Sequence, residues 1–466
     1  MLDRLRSLIG AENVLTGADM APWCREWTGH YRWTPLAVAR PANTAEVAAI
    51  LRLAGEAGTK VVPVGGNTGL NGGTYAEGAL MLSLARMNRI REIRPAARVA
   101  VAEAGVVLES LHGAAAEHGL AFPLTFGAKG SATIGGVIST NAGGSNVLRY
   151  GTTRALVLGV EVVLADGRVM DLMGALHKDN TGYSLRDLVI GAEGTLGIVT
   201  AAVLKLVPAP KAYATATLAL SSLDSALALL NRLQAETGGA VEAYEFMPAT
   251  YMARLAQHRP DLRQPFAEIH PVTVLVEVGA TAPRDATPGP DGALPVVSHL
   301  EAVLAEALED GALLDAVIAQ TEAQRREMWA RREAAAEITF TAPVLVDTDV
   351  ALPLDRLQAF LDAMTARLAA LDPEATELVV AHLGDGNIHY TAYPSRDDLA
   401  LQVEIRAAVA EEAVALGGSF SAEHGIGRSK LATLQAHKDP VALDAMRAIR
   451  AALDPGGVLN PGKTVV

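Results

Sequence analysis

PVGGNTGLNGG, residues 63–73, places five glycines among eleven residues directly after the β-branched run TKVVPV. Such a stretch makes poor helix or strand. Its consecutive backbone N–H groups can converge into a concave anion nest of the kind a pyrophosphate occupies. The spacing matches neither G-x-G-x-x-G nor the Walker loop, so neither standard nucleotide fingerprint applies. Two further segments share this character: GAKGSATIGGVISTNAGGSNVLRYG (127–151) and GAEGTLGIV (191–199), the latter opening into an apolar strand. One such segment could be a tight turn. Three in one half of the chain point to close approach by a large, flat, phosphate-bearing ligand, because approach to a ligand favours missing side chains.

Around these loops, short strands and helices alternate. Residues 42–55 read as a helix capped at Asn43 or Thr44, 156–170 as a β-hairpin through Asp166-Gly167, and 194–208 as a strand pair or bent strand ending at Pro208. From about Pro210 the order becomes strand, helix, strand, strand. It includes AYATATLAL, HPVTVLVEVGA and TELVVAHLG, with the Pro/Gly/Asp-rich TAPRDATPGPDGAL as a surface loop. That order predicts an α+β domain with an antiparallel sheet rather than a parallel dinucleotide-type sheet.

At 466 residues, two domains, or one large and one smaller, are expected. Half the residues are hydrophobic and mean hydropathy is +0.23, enough for substantial cores. The net charge of −13 argues against nonspecific nucleic-acid binding but leaves small anionic substrates open. Cys24 is the single cysteine, so no intrachain disulfide can form. The first residues lack a signal-peptide pattern, and no window is long and apolar enough to span a membrane. A soluble, cytoplasmic protein is expected.

VAHLGDGNIHYTA (380–392) carries His382 and His389 around a glycine-rich turn. Metal ligands, catalytic bases and ordinary loop residues all remain open for them, since the spacing is not that of a one-face helical pair. FSAEHGIG adds Glu423 and His424. Two neutral imidazoles and a carboxylate could form a divalent-ion site with room for substrate, and the histidine beside that carboxylate could act as a titratable base.

The segments PVGGNTGL, GSATIGGVISTNAGG, RYG, GAEGTLGIVT, HLGDGNIH, EHGIG and LNPGK occur in this order over almost the whole chain. Together they resemble the FAD-linked D-2-hydroxy-acid dehydrogenases of the vanillyl-alcohol-oxidase superfamily. The resemblance implies a two-subdomain PCMH-type FAD-binding domain over 1–208 and an α+β substrate and metal-binding domain over 209–430. A C-terminal segment over 431–466 would return to the flavin. It implies that Gly65, Gly66, Asn67, Thr68 and Gly69 cradle the FAD pyrophosphate, with Pro63, Asn71 and Gly72 nearby. Pro123, Leu124, Gly127, Gly130, Ser131, Thr133, Gly135, Gly136, Asn141 and Gly143 would line the flavin channel. Glu193, Gly194, Gly197, Ile198 and Val199 would complete the adenosine side, and Asn460 would approach the isoalloxazine. Relatives that attach flavin through the first loop use histidine there. Asn67 stands in that place, so noncovalent FAD is expected.

By the same resemblance, His382, His389 and Glu423 are metal ligands, with zinc first and manganese an alternative, and His424 is the active-site base. Asn387 would hydrogen-bond the bound acid and Arg332 would meet a substrate carboxylate; read alone, Arg331-Arg332-Glu333 looks like a solvated helix face. Asp385 and Glu245 divide between site and structural roles. Ala336 and Asp347 depart from the hydroxyglutarate-type pattern, which has threonine and lysine there, so D-lactate and other D-2-hydroxy acids stand beside D-2-hydroxyglutarate. The expected electron acceptor is an electron-transfer flavoprotein, a quinone or another carrier. An oxygen-using oxidase is the main alternative, and a noncatalytic flavin- and metal-binding protein a more distant one. The second domain could supply a homodimer surface.

Overall fold

The computed structural model describes residues 1–465; Val466, at the end of the 431–466 segment, lies outside the described residues. The chain divides into two units. One comprises residues 1–143, 151–208 and 423 onward; the other comprises residues 144–150 and 209–422.

In the first unit, β1 (Val14–Leu15), β2 (Ala37–Ala39), β3 (Val61–Val64) and β4 (Leu80–Ser83) form a sheet in the order β1-β2-β4-β3. The β2–β4 and β3–β4 pairs are parallel. The helix Thr44–Glu56 follows β2. Its start is fixed by Asn43, whose side chain accepts the Glu46 N–H at 3.0 Å, a cap contributing about 1 kcal/mol. Apolar residues on this helix, Val47, Ile50, Leu51 and Ala54, are buried in one core with Leu80 and Leu82 of the sheet. An antiparallel sheet follows, built from β5 (Ile90–Arg94), β6 (Val99–Glu103), β8 (Val157–Val163), β9 (Val169–Leu172) and β10 (Ile198–Lys205) in the order β5-β6-β10-β8-β9. Between them in sequence lies β7 (Leu120–Ala121), which pairs with β11 (Val207–Pro208). The β8–β9 hairpin turns at Asp166-Gly167, with Gly167 at φ 79°, a conformation that favours glycine.

The second unit is built on a seven-stranded antiparallel sheet. Its strands are β12 (Ala212–Leu220), β13 (Val241–Pro248), β14 (Val272–Ala280), β15 (Asp315–Ile318), β16 (Val346–Ala351), β17 (Thr376–His382) and β18 (Asn387–Tyr393). They run in the order β15-β12-β14-β13-β17-β18-β16. Successive side chains along a strand face opposite sides. Ala214, Ala216, Leu218, Tyr244, Phe246, Val274, Val276, Val379, Ala381, Ile388, Tyr390 and Val350 therefore share one face. They form a single buried core with the apolar stripes of helices Leu223–Glu236, Pro295–Glu309, Leu357–Leu371 and Leu399–Ala415.

The opposite face is divided. Met247, Leu275, Leu378 and Val380 pack under helices Ala249–His258, Glu322–Glu333 and Ala335–Thr339. Most of the remaining positions are polar. The strand register sets Glu245 beside His382 and His382 beside Asn387 in one lateral row. The next row holds His389 beside Asp349, and the one beyond it Thr391 beside Asp347. The α+β antiparallel architecture expected for this half of the chain is thus present; of the two histidines around the glycine-rich turn, His382 ends β17 and His389 is the third residue of β18.

Candidate functional site

In the first unit the glycine loops interlock backbone to backbone. A Cβ on Gly66 would lie 2.0 Å from the Ser131 carbonyl oxygen, and one on Gly65 would lie 2.3 Å from Thr133 Oγ1. Gly135 is equally committed, its would-be Cβ 2.7 Å from that of Ala104. Gly69 and Gly127 differ: a Cβ there would meet nothing within 4 Å, so space beside the loops is left open. Thr133 Oγ1 and Asn460 Oδ1 are buried with no hydrogen-bond partner among the described residues. Asn67, Asn141, Glu193 and Asn460 all adopt positive φ, between 36° and 53°, a conformation that costs a side-chain-bearing residue about 1–2 kcal/mol. Strained backbone, orphaned acceptors and open space along glycine-rich backbone fit a dinucleotide such as FAD.

The turn after His424 is braced from the same loops. Asn71 Nδ2 donates to the His424 carbonyl at 3.0 Å and to that of Gly425 at 2.7 Å. The Glu193 carboxylate accepts the Ile426 and Gly427 N–H groups at 2.7 and 2.8 Å, and its carbonyl accepts Asn460 Nδ2 at 2.6 Å. Burial pushes the Glu193 pKa up while those two N–H donors pull it down, and the net direction is upward. Sequence reading assigned Glu193 and Asn71 to the cofactor cradle. Their side chains hold the backbone that carries His424. Ile198, assigned to the adenosine side, packs in the apolar core, where it is 1% exposed. Lys463 is buried and donates to the Tyr75 carbonyl; burial, with Arg428 beside it, pushes its pKa down to about 8.

In the second unit Glu245, 0% exposed, spends its two oxygens on different partners. Oε2 accepts Arg332 Nε at 2.7 Å and Oε1 meets His382 Nδ1 at 2.9 Å. Burial works against its charge, yet His382 and Arg332 hold its pKa below the ordinary carboxylate value. Arg332 Nη2 is buried with no partner among the described residues, and so is Asn387 Oδ1. The His382 and His389 rings lie 5.5 Å apart, edge to face. Asp349, also 0% exposed, accepts Asn387 Nδ2 at 2.9 Å and the Ala422 N–H at 3.1 Å, and offers a ligand atom within 4.8 Å of one on His389. In the first unit Glu423 and His424 likewise bring ligand atoms within 4.8 Å, whereas His382, expected as a ligand, does not share that spacing. A single peptide bond joins Ala422 to Glu423. Nitrogen and carboxylate donors of this kind suit zinc or manganese.

The Arg331-Arg332 pair is not a solvated face. Both side chains are buried, Arg331 binding the Arg263 carbonyl and Glu327, both at 2.6 Å. Sequence reading left Glu245 outside the site and did not single out Asp349. The alternation of VLVDTDVALP held a usable signal for Asp349, since it puts that acid on the side of the strand opposite Val350. Asp347, where the hydroxyglutarate pattern has lysine, accepts the Thr391 hydroxyl at 2.8 Å, and Ala336 is exposed.

Among the described residues no helix is long and apolar enough to cross a membrane. Residues 35–173 match the model of an FAD binding domain, and 209–464 that of the C-terminal domain of FAD linked oxidases. The chain is 36% identical to a D-2-hydroxyglutarate dehydrogenase of Xanthomonas citri pv. viticola, over 96% of this chain and 92% of that protein. It is 37% identical to the mitochondrial D-2-hydroxyglutarate dehydrogenase of Bos taurus, over 99% of this chain and 82% of that one. Among solved structures, p-cresol methylhydroxylase with substrate bound superposes with a TM-score of 0.74 at 16% identity, covering 99% of this chain and 95% of that one, a likeness of fold. With both domains matched, and relatives at this identity along nearly its full length, the chain belongs to the FAD-linked oxidase and dehydrogenase family and is an FAD-dependent oxidoreductase.

Proposed function

We propose that this oxidoreductase converts a D-2-hydroxy acid to the corresponding 2-oxo acid. The observation that carries the reading is Arg332: its Nε is tied to Glu245 while its Nη2 is buried and unpartnered. A guanidinium held in this way, in the same unit as His382, His389 and Asn387, is a preformed anchor for a carboxylate. When bound, FAD would accept the hydride from the α-carbon, and a divalent ion held by His382, His389 and Glu423, with Asp349 as a further donor, would acidify the hydroxyl. His424 takes the hydroxyl proton on its imidazole as the carbonyl forms, and the Asn71 and Glu193 braces hold it for that task. Asn387, its amide N–H groups donated to Asp349 and the Val350 carbonyl, offers its unpartnered Oδ1 as an acceptor for the hydroxyl of the acid. Asn67, in place of a histidine, supports noncovalent flavin.

The relatives' names bring D-2-hydroxyglutarate forward. Asp347 favours a second reading, a neutral-tailed acid such as D-lactate, because an acidic group on the functional face repels a second carboxylate. An electron-transfer flavoprotein or quinone as acceptor, a cytoplasmic site consistent with the single cysteine, and a homodimer through the second domain complete the proposal. Anaerobic titration of the FAD-loaded protein tests it. D-2-hydroxyglutarate, D-lactate, D-malate and their L-forms are each mixed with the yellow protein. Bleaching by a D-acid is expected, lost in His424→Ala with flavin retained. Faster reduction by L-acids, or rapid reduction of the His424→Ala protein, would refute the assignment. Peroxide formation in air would identify an oxidase.

A further inference from the structure

Two arginine–glutamate pairs in the second unit, each with a buried carboxylate, make different use of the same chemistry. Arg325 engages Glu277 side-on, Nε to Oε2 and Nη2 to Oε1, both at 2.7 Å, so the fork is satisfied by one carboxylate. This is the geometry of an ion pair that serves packing. Arg332 has the same fork and an equally buried glutamate, but only its Nε reaches Glu245, at 2.7 Å. The second oxygen of Glu245 is turned to His382 Nδ1 at 2.9 Å, and Arg332 Nη2 is left buried without a partner. A pair selected for stability alone would close the fork, since an unmatched buried donor is destabilising.

The strand register explains how the carboxylate can be divided. Glu245 and His382 are directly opposite on neighbouring strands, so the imidazole is within reach without distortion of either backbone. With Glu245 accepting at Nδ1, the neutral ring carries its proton there and presents a lone pair at Nε2. The carboxylate thus supports two groups with separate tasks, the histidine and the arginine.

We infer that Glu245 is the positioning residue of the site, fixing His382 as an Nε2 ligand and holding the Arg332 fork open toward the substrate carboxylate. The inference rests on the proposed metal-assisted oxidation and deepens it. Glu245→Gln separates the two demands, because an amide has one acceptor oxygen where Arg332 Nε and His382 Nδ1 both require one. With its oxygen on Arg332, its NH2 faces Nδ1 and drives the imidazole proton to Nε2, where it blocks a metal.

Equilibrium dialysis of the FAD-loaded wild type and Glu245→Gln against buffered Zn2+ or Mn2+ is the primary test. Metal affinity is expected to fall by about 10- to 100-fold with flavin stoichiometry unchanged. At saturating metal, kcat should recover while KM for the hydroxy acid remains raised. A wild type that binds neither ion sinks the metal reading and the inference with it. A wild type that binds an ion no more than twofold tighter than the variant sinks the inference alone, and a KM restored together with kcat removes its arginine half. Should the variant not fold, nitrogen NMR of histidine-labelled wild type with Zn2+ decides the tautomer, the His382 signals being identified by their loss in His382→Gln. A proton on Nδ1 is expected; one on Nε2 overturns the inference.

Discussion

Replacing Arg332 by lysine separates substrate anchoring from internal charge balance. In the native site the guanidinium can bind Glu245 through Nε and still offer Nη2. A lysine ammonium is a point charge on a flexible stem and cannot span both partners with the arginine's fixed geometry. Glu245, at 0% exposure, holds it, because an uncompensated buried carboxylate would cost several kcal/mol. The substrate then loses one charge-assisted hydrogen bond, about 1.5–3 kcal/mol. At about 1.4 kcal/mol per decade this is a roughly 10- to 150-fold fall in kcat/KM. Arg332→Ala would be less informative, since stranding Glu245 would destabilise the protein by about 3–5 kcal/mol and mix folding with binding. The assay is anaerobic stopped-flow reduction of bound flavin over a range of acid concentrations. The half-saturating concentration should rise with flavin content unchanged. A lysine variant within twofold of wild type in both parameters would show that Nη2 does not hold the substrate.

Three further outcomes follow from named contacts. Gly66→Ala should abolish flavin retention, read from the visible-to-ultraviolet absorbance ratio, because its Cβ would sit 2.0 Å from the Ser131 carbonyl; Gly69→Ala, with nothing within 4 Å, should fold normally and lose only flavin affinity. Glu193→Gln leaves one of the Ile426 and Gly427 N–H groups unsatisfied, so thermal stability should drop by about 1–3 kcal/mol and the rate of flavin reduction should fall as the His424 turn loosens. Lys463 releases its proton near pH 8 when folded and only at its ordinary value of 10.5 when unfolded. The unfolded chain therefore binds more protons between those values, and stability contributed at this position rises with pH from 8 toward 10, by up to about 1.4 kcal/mol per pH unit. Lys463→Met should remove that rise in thermal melts.

Patterns that are local in sequence carried the fold well. The hairpin at Asp166-Gly167, the Asn43-capped helix and the alternation of AYATATLAL and HPVTVLVEVGA all appear in the structure where their periodicity places them. What local pattern could not supply is which strands become neighbours. Glu245 meets His382 across 137 residues, and alternation within each strand says only that both lie on one face or the other. The Arg331-Arg332 run failed for a similar reason: helix polarity suggested solvent, whereas packing in the second unit buried both side chains. Glu193 was legible as a special position beside glycine. That its carboxylate grips the turn of residues 426–427 depends on the three-dimensional return of a segment 233 residues away.

The sheet of the second unit writes packing and chemistry in alternate letters of the same strand. In NIHYTAY, Ile388, Tyr390 and Ala392 belong to the apolar core, while Asn387, His389 and Thr391 belong to the opposite, polar side. Substitutions confined to one set of letters leave the other untouched, so a lineage can retune which acid it accepts without eroding the core that keeps it folded. An inserted or deleted residue has the opposite character: it exchanges every letter at once, setting imidazoles into the core and isoleucine among the polar rows. Divergence in such a protein is therefore expected to proceed by replacement within β16, β17 and β18, with changes of length confined to the loops between them.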